Sequence, residues 1–156
     1  NVQGDEPLVD PEMLNQIIKP FVNKNISVSN LMVKLNNLED VNSSDTVKVV
    51  MDKNFNALYM SREPIPSSKN YNQKISYFRQ LGLIAFKRDV LLAFINLQPS
   101  ELEIIESVDM NRFLENNVPV YMVETKLLVD AVDTPQDLVR VEELMKKDKL
   151  FKRYSK

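Results

Sequence analysis

Cysteine, histidine and tryptophan are absent from the 156 residues, and glycine occurs only at Gly4 and Gly82. Without cysteine there is no disulfide, no thiolate zinc site and no cysteine nucleophile. Without histidine the usual general base and the usual transition-metal ligand are both missing. Any metal would have to be held by oxygens, which favours Mg²⁺ or a similar hard cation. Two isolated glycines cannot form a glycine-rich phosphate loop. No apolar run reaches membrane-spanning length, nothing resembles a leader peptide, and no basic stripe marks a nucleic-acid surface. These features point to a cytoplasmic protein with neither nucleic acid nor membrane as partner.

What is present is enough for a folded core. Apolar residues make up 44% of the chain, the net charge is −2, and acids and bases are interspersed. The length fits one domain. Val2-Gln3 reads as the end of a strand. Asp10-Pro11 reads as a capped helix start, followed by Met13, Leu14, Ile17, Ile18 and Phe21 at helical spacing until Pro20 interrupts. Ile26–Leu35 alternates like a strand, and residues 36–44 are turn-like with room for one helical turn. Thr46–Asp52 and Ala57–Ser61 read as a hairpin, and residues 62–74 as a long Pro/Ser-bearing loop, of which Ser67–Lys74 fits either a lid or a disordered connection. Tyr77–Phe86 reads as a strong strand. Helices are predicted after Lys87 and over about 102–115, a strand over 118–125, and a helix from Pro135 capped by Thr134 with Asp137 completing a capping box. Strands alternating with helices favour an α/β mixed sheet, in which ligands gather beyond the carboxyl ends of strands.

Four stretches could carry chemistry. Gly4-Asp5-Glu6-Pro7 reads either as an acidic turn or as a carboxylate placed for a divalent ion. Asp133, with Asp130 nearby, reads either as an acid favoured beside a helix N-terminus or as a second ligand. Glu103 and Glu106 share a helix face, and Asp109 and Arg112 continue the row. A row of like charges is either a solvated face or a wall awaiting a polyhydroxyl or cationic ligand. Arg62 could bind a carboxylate in bidentate fashion, or be a surface residue.

"NVQGDEP", "VKVVMD…ALYMSREPIP", "RQLGLIAFKRDVLLAF", "LQPSELEIIESVDMNRFLEN" and "VDTPQDLVRVE" follow one another in the order and spacing of one family. The chain resembles the second part of the CMP-Kdo synthetases, the 3-deoxy-manno-octulosonate cytidylyltransferases of Gram-negative bacteria. The resemblance implies an α/β nucleotidyltransferase fold similar to a Rossmann sheet, with helices flanking a mixed sheet and a smaller β-rich dimerisation portion at about 46–87. Residues 1–156 would be the C-terminal part of a single domain whose N-terminal part, with the triphosphate-gripping loop, lies elsewhere. It further implies CTP and an acidic sugar as substrates, CMP-sugar and pyrophosphate as products, a homodimer, and a role in lipopolysaccharide biosynthesis. On its own the chain would then be inactive.

By the same resemblance, Asp5 and Asp133 would hold Mg²⁺ and serve catalysis. Gln3, Arg62, Gln80, Glu103 and Glu106 would bind substrate, with Arg62 on the sugar carboxylate and the two glutamates on its hydroxyls. The chain departs from the family at Gln80, usually His, at Ile84, usually Tyr, at Ala131, usually Gly, and at Asp109, usually Glu. These changes leave a different acidic acceptor (an amino-ulosonic acid or a phosphonate) and a non-catalytic module as alternatives.

Overall fold

The computed structural model describes residues 1–69, 75–127, 130–132, 134–148 and 150–151. Asp133 and the far end of the 62–74 loop therefore lie outside the described residues. Asp10 caps helix α1 (Pro11–Ile18), its carboxylate accepting from the Glu12 N–H at 2.7 Å. Pro20 follows, and the chain tightens into a 3₁₀ turn over Lys19–Val22. Strand β1 (Val28–Lys34) comes next, then the short helix α2 (Leu38–Asn42). Strands β2 (Lys48–Met51) and β3 (Ala57–Ser61) form the predicted hairpin. The long strand is β4 (Phe78–Phe86). Helices α3 (Arg88–Phe94), α4 (Glu101–Glu106) and α5 (Met110–Glu115) lead to strand β5 (Tyr121–Thr125) and helix α6 (Pro135–Lys147).

The five strands make one mixed sheet in the order β3-β2-β4-β1-β5. β1 runs parallel to β5 and antiparallel to β4, and β2 is antiparallel to both its neighbours. Both faces are covered: β1 is buried residue after residue over its first five positions, and successive side chains enter opposite faces. Val28, Met32, Ile84 and Met122 point to one side, where Met110 and Phe113 of α5 close the core. Leu31, Leu81 and Leu83 point to the other, against Met13 and Ile17 of α1. No described helix is long and apolar enough to cross a membrane.

Two expectations change. Val2-Gln3 forms no strand, although Asn1 exchanges backbone hydrogen bonds with Ile84 (2.7 and 3.1 Å). The predicted helix over 102–115 is two helices. Ser107 adopts the left-handed region (φ 53°, ψ 47°) after α4, and α5 restarts at Met110. That break redirects the acidic row, with consequences for the site.

Candidate functional site

The site forms where β2 parts from β4. The two strands pair at Lys48 and Arg79, and the Gln80 N–H still reaches the Val47 carbonyl (2.9 Å). Beyond that point other groups serve the outer edge of β4. The Gly82 N–H donates to the Glu6 Oε1 (3.1 Å), and the Ile84 N–H donates to the Asn1 carbonyl. The opposite edge slips register here. β4 moves from Ile84 to Gln80 while β1 moves only from Asn30 to Met32. The buried Asn30 amide fills the irregularity, donating to the carbonyls of Leu81 (2.7 Å) and Leu83 (2.8 Å). Such irregularities re-aim side chains and often border functional sites.

The seam opens into a cavity of about 320 Å³. Gln3, Asp5, Arg62 and Gln80, all expected from the sequence, line it together. Gly82 makes this possible: a Cβ there would lie 2.1 Å from the Gln3 Oε1 and 2.6 Å from its Cδ. Gly4, by contrast, has nothing within 4 Å of where a Cβ would lie. Gln80 donates from its amide to the Leu81 carbonyl (2.9 Å), which fixes its head and leaves its oxygen available.

Arg62 follows β3 and is held from several sides. Its Nε donates to the Glu106 carbonyl (2.8 Å), one terminal nitrogen to the Ser44 carbonyl (2.8 Å) and the other to the Ser107 carbonyl (3.3 Å). These neutral partners orient the guanidinium without cancelling its charge. They use three of its five N–H groups, so a bidentate anion could still be met.

Glu103 and Glu106 are committed to the chain itself. Both oxygens of Glu103 accept from Arg112, one of them from Nε at 2.5 Å, and Glu103 also completes the capping box with Ser100. The turn at Ser107 lets Arg112 fold back onto Glu103 instead of extending the acidic row. Arg112 lies over the Phe94 ring at 4.4 Å as well. Glu106 accepts from the Tyr59 hydroxyl (2.6 Å), the Ser61 hydroxyl (2.8 Å) and the Arg62 N–H (2.8 Å). Burial pushes the Glu106 carboxyl up, but those three donors and the Arg62 charge outweigh it and hold it below the usual carboxylate value. Arg112 lowers Glu103 in the same sense. Hydrogen bonding to Glu106, followed by burial, pushes the Tyr59 hydroxyl up to about 12. Glu106 does not line the cavity. Glu103 borders only an adjoining recess, shared with Gln3, Ser107 and Asp109.

Asp109 is the acid of that row that reaches the cavity. It is exposed to solvent at the rim, yet crowding by protein, followed by the Glu103 charge, raises its carboxyl. Arg79, Asp45 and Glu6 line the cavity too, and sequence reasoning did not select them. No local pattern marks Arg79, because its place opposite Lys48 is set by the β2–β4 register. Ile84, one of the positions at which the chain departs from the family, is buried in the core.

The donor set suits a hard cation in part. Asp5 offers exposed carboxylate oxygens to the cavity, and its carbonyl accepts from the Val132 N–H (2.8 Å), so the chain just before Asp133 is tied to Asp5. Among the described residues no cluster of three or more acidic side chains forms a metal cage. Two carboxylates with water and phosphate oxygens is a common way to hold Mg²⁺.

Comparison with known proteins gives one answer. A family model described as cytidylyltransferase matches residues 1–151. The 3-deoxy-manno-octulosonate cytidylyltransferase of Fusobacterium nucleatum is 38% identical over 151 residues, 96% of this chain and 61% of that protein. The protein of the same name from Chloroherpeton thalassium is 41% identical over 94% of this chain and 61% of its own length. The chain thus spans about three fifths of the length of these relatives. Among solved structures, CMP:2-keto-3-deoxy-manno-octonic acid synthetase complexed with CTP superposes with a TM-score of 0.86 at 32% identity, over 94% of this chain and 61% of that one. A putative glucose-1-phosphate thymidylyltransferase from Bacillus anthracis shares the fold at a TM-score of 0.58 and 17% identity, over 92% and 52% of the two chains.

Proposed function

The chain belongs to the cytidylyltransferase family, and on that premise we propose that it forms the acceptor- and metal-binding part of an enzyme that couples CTP to an acidic 3-deoxy sugar. The products are the CMP-sugar and pyrophosphate. The observation that carries the reading is the cavity itself, which gathers Arg62, Gln3, Gln80 and Asp5 in one seam of the sheet.

In this reading the free N–H groups of Arg62 take the acceptor carboxylate as a bidentate pair. Gln3, Gln80 and Asp109 take its hydroxyls. Holding the acceptor hydroxyl in line with the α-phosphate of CTP turns an encounter between two substrates into a step within one complex. Asp5 and Asp133 are the residues that would hold Mg²⁺. The chemistry a bound Mg²⁺ supplies is a lowered pKa for the attacking hydroxyl and neutralisation of charge growing on phosphorus. The absence of histidine fits, because no side-chain base of that kind is called on. The same reading includes a homodimer formed through the β-rich portion at 46–87. In support, β3 is an edge strand and carries the exposed Leu58.

The test is pyrophosphate release by the full-length protein, given CTP, Mg²⁺ and a panel of acidic sugars. Turnover of 3-deoxy-manno-octulosonate is expected. Preference for an amino-ulosonic acid or a phosphonate would shift the acceptor, as Gln80 in place of a titratable histidine would allow. No turnover with any acidic acceptor overturns the reading. Asp133→Asn is expected to abolish transfer with the fold intact, and unchanged turnover would refute the metal role.

A further inference from the structure

Lys48 is a fully buried cation that the proposed chemistry does not use. It sits on β2 at the one point where β2 pairs with β4. Its ammonium donates to three backbone carbonyls: Ser43 (2.8 Å), Thr46 (2.6 Å) and Arg62. All three ammonium donors are therefore used, and none faces a carboxylate directly. The carbonyls come from two separate segments that border the cavity. Residues 43–46 carry Asp45, and the chain end of β3 carries Arg62.

The Arg62 peptide is gripped at both ends. Its N–H donates to the Glu106 carboxylate and its C=O accepts from the Lys48 ammonium. The guanidinium closes the knot by bonding back to Ser44, within the turn that Lys48 holds, and to the carbonyls of Glu106 and Ser107. A buried ammonium is costly to desolvate, and an apolar residue of similar shape commonly serves stability as well or better. Burial is also the leading influence on Lys48 and lowers its pKa.

We propose that Lys48, acting with Glu106, is a positioning residue that stations the Arg62 guanidinium in the cavity for an anionic acceptor. Lys48 touches no substrate and acts through Arg62. The inference rests on the reading above, in which Arg62 meets the acceptor carboxylate.

The experiment measures KM for the acidic sugar and for CTP in the full-length protein and in Lys48→Met, Glu106→Gln, Arg62→Ala and the Lys48→Met/Arg62→Ala double variant. Lys48→Met should fold, because the Ser43 and Arg62 carbonyls are only partly buried and can take water, which leaves the buried Thr46 carbonyl as the one partner without a donor. Its acceptor KM should rise about tenfold, the scale of one charge-assisted hydrogen bond, while KM for CTP stays within about twofold. Glu106→Gln should move the same constant in the same direction. In the Arg62→Ala background the Lys48→Met effect should vanish, since both act through one group.

Additive losses, or equal losses for both substrates, would make Lys48 a structural residue and overturn the proposal. Failure of both Lys48→Met and Lys48→Gln to fold would do the same. If Arg62→Ala leaves the acceptor KM unchanged, the functional reading fails. If Arg62→Ala raises it and Lys48→Met does not, only the inference about Lys48 fails.

Discussion

At the residue scale, two glycines with the same chemistry have opposite standing. Gly4 is surrounded by open space, whereas Gly82 makes room for the Gln3 side chain. Gly82→Ala is expected to leave the fold intact, because what it displaces is the end of a flexible side chain. The displaced Gln3 should raise the acceptor KM severalfold, while Gly4→Ala, judged on space alone, should leave the protein's thermal midpoint unchanged. Parallel kinetics and thermal melts of the two variants check this contrast. Arg62→Ala is expected to raise the acceptor KM by about 10- to 100-fold, the range for losing charge-assisted hydrogen bonds. That loss should appear in titrations with acidic sugars and not with CTP.

At the scale of elements, the break at Ser107 decides what the acidic row can do. An unbroken helix would have stacked Glu103, Glu106, Asp109 and Arg112 on one face. The left-handed turn instead gives Glu103 to Arg112, Glu106 to the end of β3, and only Asp109 to the cavity. The Arg112–Glu103 pair is mostly buried, with side-chain exposures of 15% and 13%. Arg112→Met strips a partly buried carboxylate of its partner and is expected to cost about 1–2 kcal/mol in urea unfolding. Glu103→Gln in the same background should recover part of that loss, since it removes the unpaired charge. At α6, Thr134 accepts from the Asp137 N–H while Asp137 returns a bond to the Thr134 N–H (2.9 Å). Thr134→Ala should cost about 1 kcal/mol by the same measurement.

At the scale of the molecule, Glu103, Glu106 and Tyr59 contribute to the two arms of a pH profile. Glu103 and Glu106 are depressed below their ordinary 4.5 by Arg112 and by the donors around Arg62. Their stabilisation is present above the unfolded value and is lost as pH falls through the lower folded values. Tyr59 is raised from 10.0 to about 12. Its contribution is full below about pH 10 and fades as pH rises toward 12. Asp109, raised by burial, and Lys48, lowered by burial, oppose the acid and the alkaline loss respectively, so it is the share of urea stability held by Glu103, Glu106 and Tyr59 that should fall below about pH 4.5 and again above about pH 10. In Tyr59→Phe the alkaline fall should be smaller; an unchanged alkaline arm would assign it to other groups. Because Glu106 holds the Arg62 peptide, acceptor affinity should weaken on the acid side as Glu106 takes a proton, in step with its share of stability.

The sequence by itself determined the elements with strong local signals. The Asp10-Pro11 and Thr134-Pro135 starts, the β2–β3 hairpin and the long β4 strand follow from capping chemistry and from runs of β-branched and apolar strand formers, which act over a few residues. The ordered motifs determined the family, because five of them in one spacing are specific even though each alone is not. What the residues would touch was decided only by the tertiary structure. The register slip at Gly82, the parting of β2 from β4 and the turn at Ser107 arise from contacts between segments tens of residues apart, and no local pattern records them. Those contacts brought Gln3, Asp5, Arg62 and Gln80 to one cavity and gave Glu103 and Glu106 to internal partners. The role of Lys48 is not legible in the sequence for the same reason: a lysine in a β-branched strand reads as solvent-facing until the three carbonyls around it are brought together by the fold.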